Sequence, residues 1–449
     1  MMMDTPICDF VRRYAESNAL RLHMPGHKGA AFLGMEQLDI TEFAGADSLY
    51  EAKSIIRKSE ENASQLFGSD TFYSTEGCSQ CIRAMLYLTA LYARKTGKRP
   101  LIAAARNVHK TFLSAVALLE LDVTWLYPES QASYLSCPLD PAALEQVLLT
   151  KKPVAVYLTS PDYLGNVAQV ELIADICHRC GVLLLVDNAH GAYLRFLQPS
   201  RHPVDLGADL CCDSAHKTLP VLTGGAYLHI AGSAPALFAE QAKNALALFG
   251  STSPSYLILQ SLDAANAYLS DGYTRRLGAL IGQIQQLKEA LTTKGYALLG
   301  NEPLKLTVAP KSYGYTGIQL AQFLLAQDIV CEFSDPDFTV MMFTCETTAI
   351  DLNRLAQALD SLPKLPAITE QPPVFHRCEQ VLSIREAVLS PGKTLPVAEC
   401  AGKILSQPSV SCPPAVPIVI CGERIDEAAI ACLSYYGTDT CTVVDDTVL

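Results

Sequence analysis

The sequence predicts an α/β protein: a mainly parallel sheet with helices on both faces, followed by a small α/β segment and a carboxyl-terminal α+β stretch. Three observations predict it. Short apolar runs alternate with helix-patterned segments, as they do where crossover helices bury strands on both faces. Polar motifs follow directly on several of those runs, where the ligand-binding loops of an open α/β sheet lie. A proline-dense stretch then interrupts both periodicities.

Taken in order, residues 77–95 carry Cys81, Met85, Leu88 and Tyr92 at helical spacing. Leu101-Ile102-Ala103-Ala104-Ala105 and Val154-Ala155-Val156-Tyr157-Leu158 read as strands, and residues 171–180 as a shorter helix. Val182-Leu183-Leu184-Leu185-Val186 and Ala226-Tyr227-Leu228-His229-Ile230 complete the strands that stand out. Residues 255–270 and 274–291 form helices leading out of the large domain, after which 304–309, 318–326 and 338–343 give strand, helix, strand. Ser361-Leu362-Pro363-Lys364-Leu365-Pro366, followed by Pro372-Pro373, marks a boundary. The tail holds one helix-like stretch, a turn-rich proline segment and the apolar Val416-Pro417-Ile418-Val419-Ile420-Cys421. The expected domains are 1–295, 296–366 and 375–449, with no internal repeat.

At 449 residues and 49% hydrophobic, the chain can bury a large core. A net charge of −12 argues against a nucleic-acid surface and favours the approach of cationic substrates. No apolar run reaches the roughly 18 residues of a membrane span, and residues 1–9 lack the pattern of a signal peptide. The expectation is a cytoplasmic protein without a membrane partner. Among 16 cysteines, Cys78-Ser79-Gln80-Cys81 and Cys177-His178-Arg179-Cys180 fit CxxC. They lie 177 − 78 = 99 residues apart in well-patterned segments rather than in a short loop-rich module, so no metal site is expected.

The chemistry concentrates in two motifs. Val186-Asp187-Asn188-Ala189-His190-Gly191 and Asp213-Ser214-Ala215-His216-Lys217-Thr218-Leu219-Pro220 each end an apolar run, and Lys217 follows Asp187 by 217 − 187 = 30 residues. An aldehyde cofactor needs an amine to hold it as a Schiff base, and a pyridine ring used as an electron sink needs a carboxylate at its nitrogen. Lys217 and Asp187 are the candidates for a pyridoxal phosphate site. Thr75-Glu76-Gly77-Cys78-Ser79, a glycine turn opening a helix, suits the phosphate.

Further segments stand in register around these: Met24-Pro25-Gly26-His27-Lys28-Gly29, Asp39-Ile40-Thr41-Glu42 with Gly45-Ala46-Asp47, Asn107-Val108-His109-Lys110, and Ser160-Pro161-Asp162-Tyr163-Leu164-Gly165. Ser251-Thr252-Ser253-Pro254-Ser255-Tyr256 and Pro413-Pro414-Ala415-Val416-Pro417 with Gly422-Glu423 follow. Over nearly its whole length the chain resembles the ornithine/lysine/arginine decarboxylases, fold-type-I pyridoxal phosphate enzymes related to aspartate aminotransferase, in a short form without an amino-terminal wing domain.

The resemblance implies an aspartate-aminotransferase-like large domain with a seven-stranded sheet, and decarboxylation of a basic amino acid to a di- or polyamine and carbon dioxide. It places Gly77, Cys78, Ser79, Ser214 and His216 at the phosphate, His109 on the ring face, and His190 with Asp187 and Lys217 around the cofactor. Lys217 or His216 returns the proton to the α-carbon. A homodimer sharing sites through the 251–256 segment is implied too; the helix-cap reading of Ser253-Pro254-Ser255 stays open. Asp162 and Glu423 are candidates for the distal cation of the substrate, with a surface charge as the plainer reading of each. The chain departs from the family pattern at Glu76, Cys78, Asp162, Asn188 and Gly224. Transamination on the same fold, and a cofactor-binding homologue without turnover, are the alternatives; Arg354, in a helical pattern, reads as solvated rather than as a carboxylate clamp.

Overall fold

The computed structural model describes residues 3–128, 133–375, 377–408 and 413–445. The outer limits of the expected first and last domains, at 1 and 449, fall outside these. Two compact units emerge: Met1–Arg99, Val154–Val156 and Val170–Gly278 form one, and Pro100–Pro153, Tyr157–Gln169 and Ala279–Leu449 the other.

Seven strands, β1 (Asp70–Ser74), β2 (Leu101–Ala105), β3 (Asp122–Leu126), β4 (Ala155–Thr159), β5 (Leu183–Asp187), β6 (Leu210–Asp213) and β7 (Ala226–Ile230), make one sheet in the order β1-β7-β6-β5-β4-β2-β3. β2 pairs with β3, and β5 with β6, in parallel, whereas β7 is antiparallel to both β6 and β1. Every residue of β2, β5, β6 and β7 is buried, which is why their sequences are apolar runs. Three strands are not anticipated by the sequence reading: β6, a four-residue run noted only as the apolar stretch before the Asp213 motif, and β1 and β3, the sheet's outermost. Asp70-Thr71-Phe72-Tyr73-Ser74 and Asp122-Val123-Thr124-Trp125-Leu126 mix polar with apolar residues because an outer strand is buried less completely.

In the first unit the Gly77–Thr96 helix buries Cys81, Met85 and Leu88, as its spacing predicts, and Gly97 ends it in the left-handed conformation. Tyr92, expected in the same stripe, is only half-buried. The helix Tyr256–Ser270 is capped by Ser255, whose hydroxyl accepts from the Ile258 amide.

The second unit holds β8 (Ala297–Leu299), β9 (Lys305–Ala309), β10 (Phe333–Ser334) and β11 (Thr339–Met342), an antiparallel sheet in the order β10-β11-β9-β8. Capping boxes at Thr316/Gln319 and Thr348/Asp351 open its helices Gly317–Leu325 and Ala349–Ser361. Further on, β12 (Gly392–Pro396) pairs with β13 (Thr440–Val444). Among its described residues the tail carries two α-helices rather than the single helix-like stretch expected. Ile384–Leu389 is too short to show a period, and its signal is the Ser383/Glu386 capping box; Glu427–Tyr435 is the other. The apolar 416–421 run is buried without being a strand. Among the described residues no helix is long and apolar enough to cross a membrane.

Candidate active site

Within the first unit, parallel pairing sets Asp187 opposite Cys212 at the carboxyl ends of β5 and β6. Beyond β6 the chain turns at the buried Ser214 into the short helix Ala215–Thr218, which carries His216 and Lys217. Beyond β5 a tight turn, closed by the Gly191 amide donating to Asn188 O at 2.7 Å, presents His190. A side chain at Gly191 would strike Asn188 Oδ1 at 2.0 Å, so this turn requires glycine. Lys217 Nζ then lies 3.1 Å from His190 Nε2. His216 Nδ1 donates to Gly225 O at 3.0 Å, and burial lowers the imidazole's pKa, which favours the uncharged ring with Nε2 as its bare nitrogen.

The helix start completes the site. Gly77 has φ +67° and donates its amide to Gly224 O at 2.7 Å. Gly224 has φ +99°, and a Cβ there would meet Thr75 O at 2.8 Å, so the departure at Gly224 has a local cause. A Cβ on Gly77 would meet His216 Cε1 at 4.0 Å and otherwise enter open space. That glycine-lined space joins the helix start to the Lys217 turn. Glu76 stands at the cap position without a side-chain bond to the helix amides; its Oε1 accepts instead from the Ser251 amide at 3.0 Å. Cys78 Sγ lies within 4.8 Å of an Asp187 carboxylate oxygen, and Ser79, half-buried, follows in the same first turn.

Gly77, Cys78, Asp187, His190, Ser214, His216 and Lys217 therefore come from three strand or helix ends of one compact unit. An amine, a buried carboxylate and a glycine-opened helix start are the donor set that pyridoxal phosphate requires, and the residues present fit it.

One group escaped the sequence reading. Asp213, fully buried, accepts from Asn188 Nδ2 at 2.7 Å, His202 Nε2 at 3.0 Å and His229 Nε2 at 3.1 Å. Desolvation pushes its carboxyl upward, but the two imidazoles outweigh this and hold it below the ordinary carboxylate range. His229 is itself buried and lowered, with Nδ1 2.9 Å from Thr71 Oγ1. The available signal was His229 inside an otherwise apolar strand, since a buried polar group requires a partner. Asn188, a departure from the family pattern, thus ties the strand end bearing Asp187 to the strand end leading to Lys217.

The remaining candidates belong to the second unit. His109 precedes the helix Lys110–Leu119 as its cap, with Nδ1 accepting from the Thr111 amide at 3.2 Å. Ser160 Oγ accepts from the Ala168 amide at 3.0 Å, which makes it a turn residue. Asp162 and Glu423 are not surface charges: they are 3% and 2% exposed. Asp162 accepts from the Asn166 amide at 2.9 Å and Asn166 Nδ2 at 2.8 Å, and desolvation raises its pKa. Glu423 accepts from the Ile420 amide at 2.7 Å beside Arg106 Nη2 at 3.5 Å. Buried carboxylates persist where such donors satisfy them. Arg354 is solvated, as its sequence context implied.

Residues 5–307 match the family described as Orn/Lys/Arg decarboxylase, major domain. The chain is 28% identical to an arginine decarboxylase of Halalkalibacterium halodurans, over 95% of this chain and 92% of that one. It is 27% identical to an arginine decarboxylase of Bacillus subtilis, again over 95% and 92%. In fold it resembles lysine decarboxylase A from Pseudomonas aeruginosa, at TM-score 0.81 and 18% identity, covering 99% of this chain and 80% of that one. The chain belongs to the Orn/Lys/Arg decarboxylase family: it is a pyridoxal phosphate-dependent decarboxylase of a basic amino acid.

Proposed function

We propose that this chain decarboxylates arginine first among the basic amino acids, at a site built on Lys217 and Asp187. The observation that carries the site is the convergence of Lys217, Asp187 and the Gly77 turn within one compact unit. The choice of arginine is supported by the named relatives matched over most of their length.

Pyridoxal phosphate, when bound, supplies the electron sink for the bond broken as carbon dioxide leaves. Asp187 holds a proton on the ring nitrogen by its negative charge, which counts most as charge develops in the transition state. Gly77, Cys78, Ser79, Ser214 and His216 would hold the phosphate. His190 orients the Lys217 amine. Lys217 rather than His216 returns the proton to the α-carbon, because burial favours the uncharged His216 ring and its N–H is committed to Gly225 O.

We place the enzyme in the cytoplasm and in polyamine biosynthesis, read it as domains 1–295, 296–366 and 375–449, and expect a homodimer in which the 251–256 segment reaches the partner's phosphate. Supplying the protein with cofactor and each basic amino acid separately, then identifying amine and carbon dioxide, tests the reaction. Agmatine from arginine at a kcat/KM at least about tenfold above that for lysine or ornithine is expected; equal or greater turnover of lysine overturns the substrate. Mixing inactive Lys217→Ala chains with chains disrupted at Ser253 and Ser255 tests the shared site: activity returns if it is shared, and stays absent in proven mixed dimers if it is not.

A further inference from the structure

Two thiols surround Asp187. Pairing of β5 with β6 puts Cys212 opposite it, and the first turn of the Gly77–Thr96 helix brings Cys78 to the same point. Cys78 Sγ, Cys212 Sγ and an Asp187 carboxylate oxygen lie within 4.8 Å of one another, and all three residues are buried. The CxxC spacing does not make this cluster. Cys81, the neighbour that spacing suggests, is outside the triplet, whereas Cys212 comes from a strand 212 − 78 = 134 residues later.

Two sulfurs and a carboxylate oxygen converging from three elements are the donors that thiophilic divalent cations take, with a fourth position left for water. We propose that the cofactor-free protein binds such a cation, Zn²⁺ or Cd²⁺, through Cys78, Cys212 and Asp187, and that the metal and pyridoxal phosphate exclude each other. Metal binding rests on the three side chains alone; exclusion rests also on the reading that Asp187 faces the ring nitrogen. On coordination each thiol releases one proton and becomes a thiolate, with no change of oxidation state. Burial holds the Cys212 thiol well above its usual pKa, so the metal must displace that proton and binding tightens as pH rises.

The test titrates Cd²⁺ into the full chain stripped of cofactor and follows the ultraviolet sulfur-to-cadmium absorption. Because the chain has 16 cysteines, the readout is the difference between wild type and variants. Cys78→Ser and Cys212→Ser should each lose the same tight component. Asp187→Asn should keep the absorption but bind at least about tenfold more weakly. Cofactor loaded first should abolish the tight component, and Cd²⁺ loaded first should slow the appearance of the cofactor's visible absorbance. A wild-type spectrum matching that of Cys78→Ser, or unchanged affinity in Asp187→Asn, overturns the metal site. Cofactor uptake at an unaltered rate with the site filled by Cd²⁺ overturns the exclusion. Borohydride trapping of the cofactor on a lysine other than Lys217 would overturn the catalytic reading while leaving the Cd²⁺ result standing.

Discussion

Asp213 and Asp263 are both fully buried in the first unit, yet their carboxyl groups are displaced in opposite directions. Desolvation opposes the charge in each. Asp263 accepts from the Ile7 and Cys8 amides, both at 2.9 Å, and from Ser59 Oγ at 2.6 Å, and still rises to about 6. Asp213 accepts from one amide and two imidazoles and falls below the usual range. Neutral donors reduce the cost of a buried charge, whereas imidazoles able to carry positive charge can outweigh it. Asp263 anchors the Pro6–Ala15 helix; Asp213 fixes the strand ends from which Asp187 and Lys217 depart.

The largest effect should come from Asp187, the buried acid proposed to face the cofactor's ring nitrogen. Asp187→Ala should lower turnover by about 10³-fold or more, since a charge-assisted contact that strengthens in the transition state contributes about 4 kcal/mol. Steady-state kinetics at saturating cofactor checks this, and near-normal kcat removes Asp187 from the mechanism.

Asp213→Ala should destabilise the fold by about 3–5 kcal/mol by stripping the shared acceptor from two buried imidazoles. Denaturant unfolding measures it. In the wild type this contribution is present above the ordinary carboxylate pKa of about 3.9 and is lost as pH falls through the lower folded value. A variant within about 0.5 kcal/mol of wild type would make the hub dispensable.

Asp263 carries the opposite sign. Its folded pKa is raised to about 6, so the folded state binds the extra proton between about 4 and 6 and stability falls as pH rises through that window. Asp263→Asn should remove a slope of up to about 1.4 kcal/mol per pH unit there. Identical slopes in both proteins would end the contrast with Asp213.

The smallest effect is expected at Gly224. Gly224→Ala places a Cβ 2.8 Å from Thr75 O at φ +99° and should cost about 1–3 kcal/mol. It should also weaken cofactor retention, because Gly224 O holds the Gly77 amide. Dialysis against cofactor-free buffer measures that loss, and unaltered retention would separate the turn from the phosphate.

The sequence by itself determined the inner strands β2, β5 and β7, because they are buried throughout and their residues read as apolar runs of strand length. It also determined the order of the motifs, with Asp187 at a strand end and Lys217 just beyond one, since their chemistry is local to each segment. Only the tertiary structure decided what depends on distant partners. Edge strands β1 and β3 carry mixed sequences that acquire a face only in the sheet. His202, Asn188 and His229 meet at Asp213 from separate loops and strands, and no local period encodes that meeting. Asp162 and Glu423 look like surface charges in sequence because burial of a carboxylate depends on donors supplied where the chain folds back on itself. Cys212 reaches Asp187 through strand register and Cys78 joins them from a helix start, a meeting that residue spacing does not encode.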